Sequence, residues 1–361
     1  MLDKYYSLTK TLILSGIQCE KKLWFDLNDK IKLNDKAIFR SGNRFNEVVR
    51  KHYGKGLDLS DEKEHQLVIQ KTKNAINSDD INLIYEAGFQ FKKTFIRADV
   101  LIRKGDKWTM LEAKASTSIK DINISDLAIQ SYVIKNSNLN VVGNKIIHIN
   151  KEFVYKGDEN YRDLIVEVDI TKDVLIEEKK VEDLINKYLP LLKSACPIKE
   201  VGSHCKDPYP CHYFDRCSPP ETEISDVSYK ILPYSTKKIE NYCQTNKTDK
   251  LKDVPQDLLQ SSRKGYAENY HQIIQEAHIK NTPWINKDIS KEFKKWKMPF
   301  YFMDFETIQQ GVPIIKNTKP FEQVPFQWSV HKLSKKGEGL EEFSFIDFAD
   351  KDIELNFLKK L

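Results

Sequence analysis

The chain has 361 residues, of which 40% are hydrophobic and 31% charged, and its formal net charge is +5. No apolar run approaches the roughly 20 residues that a membrane helix needs, and the run Leu12–Ile17 is short and soon followed by the charged residues Glu20, Lys21 and Lys22. We therefore expect a cytoplasmic protein with no membrane contact and no secretory signal. Disordered, collagen-like and disulfide-scaffold classes are also excluded, and the mild basic excess permits a polyanionic partner without requiring one.

Helical spacing dominates the first part of the chain, including residues 42–53, and returns over 63–78. The pattern then changes to three predicted strands, over 83–89, 95–102 and 108–114, with a turn at Gly105-Asp106 before the third. A helix over 121–135 and a strand over 141–150 follow. These elements predict a mixed α/β domain with a central sheet.

The rest of the chain divides into three parts. A helix and a segment rich in cysteine and proline occupy residues 180–217, and a polar, partly helical stretch extends to 297. Further strands are predicted from 299, over 326–331 and over 342–346, before an amphipathic helix. We predict a first domain over 1–218, a helical connector over 219–297, and a second α/β domain over 298–361. About 65 residues are few for a domain, so we expect the second one to be incomplete and catalytically silent alone.

Two carboxylates and a lysine are predicted to converge at the central sheet. Asp99 ends an apolar strand, and Glu112 and Lys114 lie two apart on the next strand, so that they share a face. Carboxylates suit a hard divalent cation such as Mg²⁺ or Mn²⁺, which can activate water for phosphodiester hydrolysis, and Lys114 could act on that water. By spacing alone, the alternative is a plain salt bridge across a hairpin.

The cysteines suggest a second site. The chain has six, and three of them are evenly spaced with five residues in each gap: Cys205, Cys211 and Cys217. This segment lacks the short Cys pairs that are typical of structural zinc. One distant ligand would complete a four-thiolate iron–sulfur site, and Cys19 is the candidate, with Cys196 as the alternative. Zinc and unligated thiols stay open, and Cys243 is predicted to be a buried or free thiol.

A third motif places Asp304 and Glu306 on one strand face, between aromatic residues. Burying both carboxylates without partners would be costly, and a metal ion would resolve that cost. The alternative is an exposed strand end. The pattern resembles the opening motif of DEDD (DnaQ-like, RNase H-fold) exonucleases, which use two metal ions.

Asp99 with Glu112-Ala113-Lys114 resembles the signature of PD-(D/E)XK nucleases, although no proline precedes the aspartate. Asp126 and Gln130, one turn apart on the predicted helix, resemble the glutamine motif of RecB-like nucleases, including the CRISPR-associated exonucleases. Those relatives usually carry a tyrosine four residues after the glutamine, where this chain has an isoleucine.

The resemblance implies further roles. The Ala113 carbonyl would be a third metal ligand, and Gln130 would position the motif or the DNA. Relatives often add an upstream histidine ligand on a helix. His52 is not in a convincing position for this, so that Glu47 or Glu86 would replace it.

Taken together, the chain resembles a bacterial family described as domain of unknown function 2779. The matching stretches include Leu14–Cys19, Leu111–Ser116, Cys205–Cys217, Met303–Thr307 and Pro325–His331. The resemblance implies a restriction-endonuclease-like PD-(D/E)XK core with a helical N-terminal part and a [4Fe–4S] cluster, one Cys before the core and three after it. It also implies a following DnaQ-like domain.

The function expected from this resemblance is a metal-dependent DNA nuclease that acts on single-stranded DNA or DNA ends. Two other functions stay open: a non-catalytic nucleic-acid-binding or scaffold protein that retains the fold, and a zinc-stabilised interaction module. Relatives continue past the C-terminus of this chain, so that a missing C-terminal half or a separate partner subunit is also expected.

Overall fold

The structure is a computed structural model that describes residues 8–31, 36–218, 227–260, 267–347 and 352–361. The chain divides into two compact units. The first comprises Met1–Cys217, Tyr301–Lys332 and Leu340–Leu361, and the second comprises Ser218–Phe300 and Leu333–Gly339. Within the described ranges, every helix is too short or too polar to span a bilayer.

The first unit contains a central sheet with flanking helices. Its elements up to the first long strand are β1 (Leu8–Thr9), α1 (Lys10–Gln18), α2 (Glu20–Asn28), α3 (Lys36–Tyr53), β2 (Leu57–Asp58) and α4 (His65–Ile76). The central strands and their helix are β3 (Leu83–Phe91), β4 (Thr94–Lys104), β5 (Lys107–Lys114), α5 (Asp121–Lys135), β6 (Val141–Ile149) and β7 (Ile165–Asp169). The helices after the sheet are α6 (Thr171–Glu178), α7 (Val181–Tyr188) and α8 (Phe214–Cys217).

The sheet has seven strands in the order β2-β3-β4-β5-β6-β7, and β1 pairs with β4. Strands β3, β4 and β5 are antiparallel, β5 and β6 are parallel, and β7 is antiparallel to β6. The mixed α/β prediction is thus confirmed, and the long strands and α5 lie where the sequence pattern put them. The pattern missed β1, β2 and β7, which are two to five residues long and too short for a clear alternation.

Each face of the sheet carries a hydrophobic core. On one face, α5 buries Leu127 and Val133 against Ala98 and Met110, and α1, α6 and α7 contribute to the same cluster. On the other face, Phe45, Val48 and Val49 of α3 pack with Tyr85, Val100 and Leu111. Because side chains alternate along a strand, neighbouring residues serve opposite cores.

That alternation reverses at Glu86 and Asp99. Tyr85 and Ala87 are two residues apart on β3, yet their side chains belong to different cores. The same is true of Ala98 and Val100 on β4. The pairs Tyr85↔Val100 and Ala87↔Ala98 flank the reversal, and Glu86 has a positive φ of 56°. A left-handed glutamate is strained, and backbone strain of this kind is found preferentially at functional sites.

The pairing between β4 and β5 also ends next to Asp99. Their pairing runs from Lys104↔Lys107 to Val100↔Leu111 and stops there. Beyond that point β1 pairs with β4 in parallel, with Leu8 opposite Thr94 and Thr9 opposite Phe95. We call this opening the fork. The chain enters α1 from β1 directly beside it.

The second unit contains α9 (Lys237–Thr245), α10 (Tyr270–Lys280) and α11 (Ile289–Lys295). It has its own buried cluster, which includes Ile239, Cys243, Leu251 and Leu259. The segment predicted as a helical connector therefore contains a small hydrophobic core. Cys243 is 2% exposed, in agreement with a buried thiol.

The C-terminal region forms a three-stranded sheet in the order β10-β9-β8. Its elements are β8 (Phe300–Gln309), β9 (Gln323–Leu333), β10 (Glu341–Ile346) and α12 (Ile353–Lys360). The strands predicted from 299, over 326–331 and over 342–346 agree with these. Trp328 of β9 is buried, and its Nε1 donates a hydrogen bond to the Phe357 carbonyl in α12.

Strand β3 packs closely against α4 at Gly88. A Cβ at Gly88 would lie 2.5 Å from Val68 Cγ1, and the Gly88 N–H donates to Thr72 Oγ1 at 2.9 Å. We expect Gly88→Ala to lower the free energy of unfolding by about 1–3 kcal/mol, because the added methyl overpacks this contact. Chemical denaturation measures the change.

The matched control is Gly42→Ala in α3, where an added Cβ meets nothing within 4 Å. Alanine favours the helix there by up to about 1 kcal/mol. Equal effects of the two substitutions would contradict the tight contact at Gly88.

Candidate functional site

Glu112 and Asp126 share two lysines at the fork. Lys10 Nζ lies 2.9 Å from Glu112 Oε1 and 3.2 Å from Asp126 Oδ1. Lys114 Nζ lies 2.7 Å from the same Glu112 oxygen and 2.6 Å from Asp126 Oδ2. Both acidic residues are almost fully buried, at 2% and 3% exposure. Each carboxylate therefore contacts both ammonium groups, which offsets the cost of its burial.

Gln130 closes this network from α5. Its Nε2 donates to Glu112 Oε2 at 2.8 Å and to Asp126 Oδ1 at 3.0 Å. Asp126 and Gln130 are four residues apart and so lie on one face of the helix. Gln130 is fully buried, and its Oε1 has no hydrogen-bond partner among the described residues. That buried acceptor is free to receive a donor.

Asp99 lies at the fork between Glu86 and Glu112. Continuing the register of the neighbouring pairs puts it opposite Glu86 on β3 and opposite Glu112 on β5, so that three acidic residues form one row across adjacent strands. Since β4 and β5 separate here, the Ala113 N–H donates to Asp99 Oδ2 at 2.8 Å instead of to a strand carbonyl. The structure thus brings together Asp99, Glu112 and Lys114, as the sequence predicted.

The pKa values of Asp99 and Glu86 are both raised. Burial, followed by the Glu112 charge, raises the pKa of Asp99 to about 7, although Lys10 and Lys114 act in the opposite direction. Burial also raises the pKa of Glu86. For Asp126, burial is outweighed by Lys10 and Lys114, which hold its pKa well below the usual range.

The pKa values of Lys10 and Lys114 are raised. Burial disfavours their charged forms, but the neighbouring carboxylates outweigh it and raise the pKa of both Lys10 and Lys114. Lys114 is therefore an ammonium group at neutral pH. It can donate hydrogen bonds to water or phosphate, but it is a poor base.

The two further ligands implied by the sequence, Glu86 and Glu47, have different surroundings. Glu86 is part of the acidic row, and Arg97 Nε lies 3.2 Å from its Oε2. Glu47 lies exposed on α3, and no contact of it with the row is found in the described ranges. No group of three or more His, Cys, Asp or Glu side chains in those ranges is arranged to hold a metal ion. In this conformation Lys10 and Lys114 provide the positive charge at Glu112.

Sequence reasoning missed Lys10 and Arg97. Lys10 is 102 positions from Glu112, and its helix was predicted without a link to the site. One local signal exists: a lysine at the first residue of a helix opposes the helix dipole, so helix stability does not explain it. Arg97 donates to the Glu62 carbonyl at 2.9 Å and to the Leu59 carbonyl, and so ties the loop before α4 to β4.

The cysteines predicted to share one site line a single cavity: Cys19, Cys205, Cys211 and Cys217. All six cysteines are free thiols in the structure. Burial raises the pKa of Cys211, and the neighbouring Cys205 and Cys19 contribute in the same direction. Cys196 also lies near Cys217 and Cys19, which contribute to its raised pKa after burial.

Helix α1 connects the two clusters. Its last residue, Gln18, donates through Nε2 to the carbonyls of His204 at 2.9 Å and Tyr209 at 2.7 Å. Lys10 at its other end contacts the acidic site. The helix thus fastens the cysteine segment at its C-terminal end and the carboxylates at its N-terminal end.

Asp304 and Glu306 have a different environment. Both are exposed on β8, as are the neighbouring aromatic residues Phe302 and Phe305. The Asp304 carboxylate accepts a hydrogen bond from the Phe305 N–H at 2.9 Å. The two carboxylates are exposed, as in the alternative that the sequence left open, but they lie in the middle of β8 and not at its end.

A cleft beside α3 is rich in basic groups. Its lining residues are Val48, Lys51, His52, Glu159, Asn160, Tyr161 and Arg162. Arg44 lies close enough to Tyr161 to affect its titration through a hydrogen bond. Cationic and aromatic side chains together suit a phosphate-bearing ligand.

The raised pKa of Asp99 predicts how stability depends on pH. Between its usual value of 3.8 and about 7, the unfolded chain has released this proton while the folded chain retains it, so folding loses stability as pH rises through that window. Asp99→Asn removes this loss. We expect the variant to be more stable than the wild type by roughly 1–4 kcal/mol at pH 8, and equally stable near pH 4.

Urea denaturation with a metal chelator at each pH measures the difference. Asp106→Asn in the exposed turn between β4 and β5 is the control for loss of one negative charge. A stability difference that is already present at pH 4, or one of opposite sign at pH 8, would contradict the assignment.

The C-terminal region of the chain matches a known protein family. A family model described as a domain of unknown function (DUF2779) matches residues 301–361. A search of curated proteins finds no match. A solved structure described as "Crystal structure of SSO0001" is 15% identical and aligns over 52% of this chain and 89% of that chain, with a TM-score of 0.20. A TM-score of this size does not establish a common fold. The match over residues 301–361 supports placing the chain with the DUF2779 family.

Proposed function

We propose that this protein is a metal-dependent DNA nuclease that hydrolyses phosphodiester bonds, on single-stranded DNA or at DNA ends. The observation that carries the proposal is the convergence of Asp99, Glu112, Lys114 and Gln130 at the fork, from two strands and one helix. A surface ion pair would need neither the separation of β4 from β5 nor a buried glutamine. The cost of burying these groups favours a catalytic role.

The chemistry of the donor set suits a divalent cation, which would take the place of the lysine contacts at Glu112 in this conformation. Glu86, Asp99 and Glu112 supply carboxylate oxygens, and the Ala113 carbonyl is a further oxygen donor, the type that Mg²⁺ and Mn²⁺ prefer. The raised pKa of Asp99 reflects excess negative charge, which a cation would relieve. Such an ion, when bound, supplies charge stabilisation at the phosphate and lowers the pKa of a coordinated water.

The residues of the chain would then divide the remaining work. Lys114, as an ammonium group, would orient the attacking water or bind a phosphate oxygen. Gln130 would hold Glu112 in place through the 2.8 Å hydrogen bond from its Nε2. The cleft beside α3, with the cationic side chains Lys51 and Arg162 and the donor His52, offers contacts for the DNA backbone, whose binding depends on phosphate neutralisation.

The cysteine cavity is proposed to hold a [4Fe–4S] cluster, with zinc as the alternative. Four thiols, from Cys19 and from the segment over 205–217, line one cavity, and four thiolates are the donor set for either group. The bound group would join the two ends of the nuclease domain and couple its occupancy to folding.

The nuclease proposal is tested by anaerobic purification and cleavage of labelled single-stranded DNA with Mn²⁺. Lys114→Ala should lower the cleavage rate by about 10²- to 10⁴-fold and leave DNA binding in place. Lys145→Ala is the matched control, since Lys145 lies on β6 in an exposed pair with Glu167. Equal cleavage by the wild type and Lys114→Ala would reject this site. DNA binding without cleavage by the wild-type protein would favour the scaffold function instead.

Metal analysis tests the cysteine site. We expect the anaerobically purified protein to contain iron and acid-labile sulfide, and Cys19→Ser to lose most of both because one of four ligands is missing. Cys243→Ser, in the buried cluster of the second unit, should retain them. Purified protein that contains zinc and no iron would contradict the cluster proposal and favour the zinc-stabilised module.

A further inference from the structure

We infer that Lys10 is a positioning residue of the nuclease site, which holds Glu112 and Asp126 in place while Lys114 turns toward the substrate. The inference rests on the proposed function, because that function assigns Lys114 to the attacking water or the phosphate. It adds a residue from the N-terminal segment, which no sequence motif of the site includes.

Lys10 and Lys114 contact the same two carboxylates, Glu112 and Asp126. Both ammonium groups lie on Glu112 Oε1, at 2.9 Å for Lys10 and 2.7 Å for Lys114. Asp126 offers one oxygen to each, Oδ1 to Lys10 and Oδ2 to Lys114. If Lys114 leaves these oxygens, both carboxylates still have an ammonium partner.

Charge explains why a second lysine is needed. Glu112 and Asp126 are almost fully buried, and a buried carboxylate without a counter-charge is strongly destabilising. A single lysine could not both neutralise the pair and contact the substrate. With two, the pair keeps its geometry through the reaction, and Glu112 stays where Gln130 Nε2 also holds it.

The fold places Lys10 in a constrained position. Thr9 caps α1 through its side chain, which accepts a hydrogen bond from the Leu12 N–H at 3.3 Å. Leu8 is fully buried and pairs with β4, so that the residue before the cap is fixed against the sheet. Lys10 therefore enters the fork from a rigid backbone, as a positioning group must.

The first test compares Lys10→Met with Lys10→Arg in the Mn²⁺-dependent cleavage assay. Lys10→Met should lower kcat by about 10- to 100-fold with little change in KM, because a positioning residue acts through the two carboxylates and not through substrate binding. Lys10→Arg should restore most of kcat, since it keeps the positive charge. Lys180→Met, which removes an exposed lysine paired with Glu177, should leave kcat unchanged.

The second test separates positioning from simple stabilisation. In an Asp126→Asn background only one carboxylate of the pair needs a counter-charge, so that Lys10→Met should then cost less than about threefold in kcat. An equal loss of kcat in both backgrounds would overturn the inference. So would wild-type kcat in folded Lys10→Met, or a loss that Lys10→Arg fails to restore.

The contact itself is tested without activity. A double-mutant cycle on the free energy of unfolding, with Lys10→Met and Asp126→Asn, should show coupling between the two residues. Absence of coupling overturns the inference even if the enzyme cleaves DNA. Coupling in a protein whose cleavage does not depend on Lys114 would instead reject the proposed function, and with it the catalytic purpose of Lys10.

Discussion

The balance of buried charge at the fork is the constraint on which the rest of the first unit depends. Two carboxylates with almost no solvent exposure, Glu112 and Asp126, are neutralised by Lys10 and Lys114. This requirement fixes β5, α5 and the start of α1 relative to one another, because each contributes a charge. Where the pairing of β4 with β5 ends, the Asp99 carboxylate accepts the hydrogen bond of the Ala113 N–H.

Helix α1 extends this constraint to the cysteine cavity. Its nine residues span about 13 Å, with Lys10 in the acidic site and Gln18 hydrogen-bonded to the carbonyls of His204 and Tyr209. The two clusters therefore contact opposite ends of one short helix.

The C-terminal sheet contrasts with the fork. At the fork every carboxylate of the network has a partner, whereas Asp304 and Glu306 face solvent on a strand whose aromatic neighbours are also exposed. This is the region that the family model matches. The carboxylate–lysine network and the cysteine cavity thus lie in the N-terminal part of the chain, outside the matched region.

The sequence alone determined the local features of the site. The period of two on β5 put Glu112 and Lys114 on one face, and the helical period put Asp126 beside Gln130, because both patterns depend only on neighbouring residues. The sequence did not predict the role of Lys10, the reversal of side-chain alternation at Glu86 or the hydrophobic core of the second unit. Only the tertiary structure decided these, since strand register, the end of the β4–β5 pairing and the burial of charge arise from contacts between residues far apart in the chain.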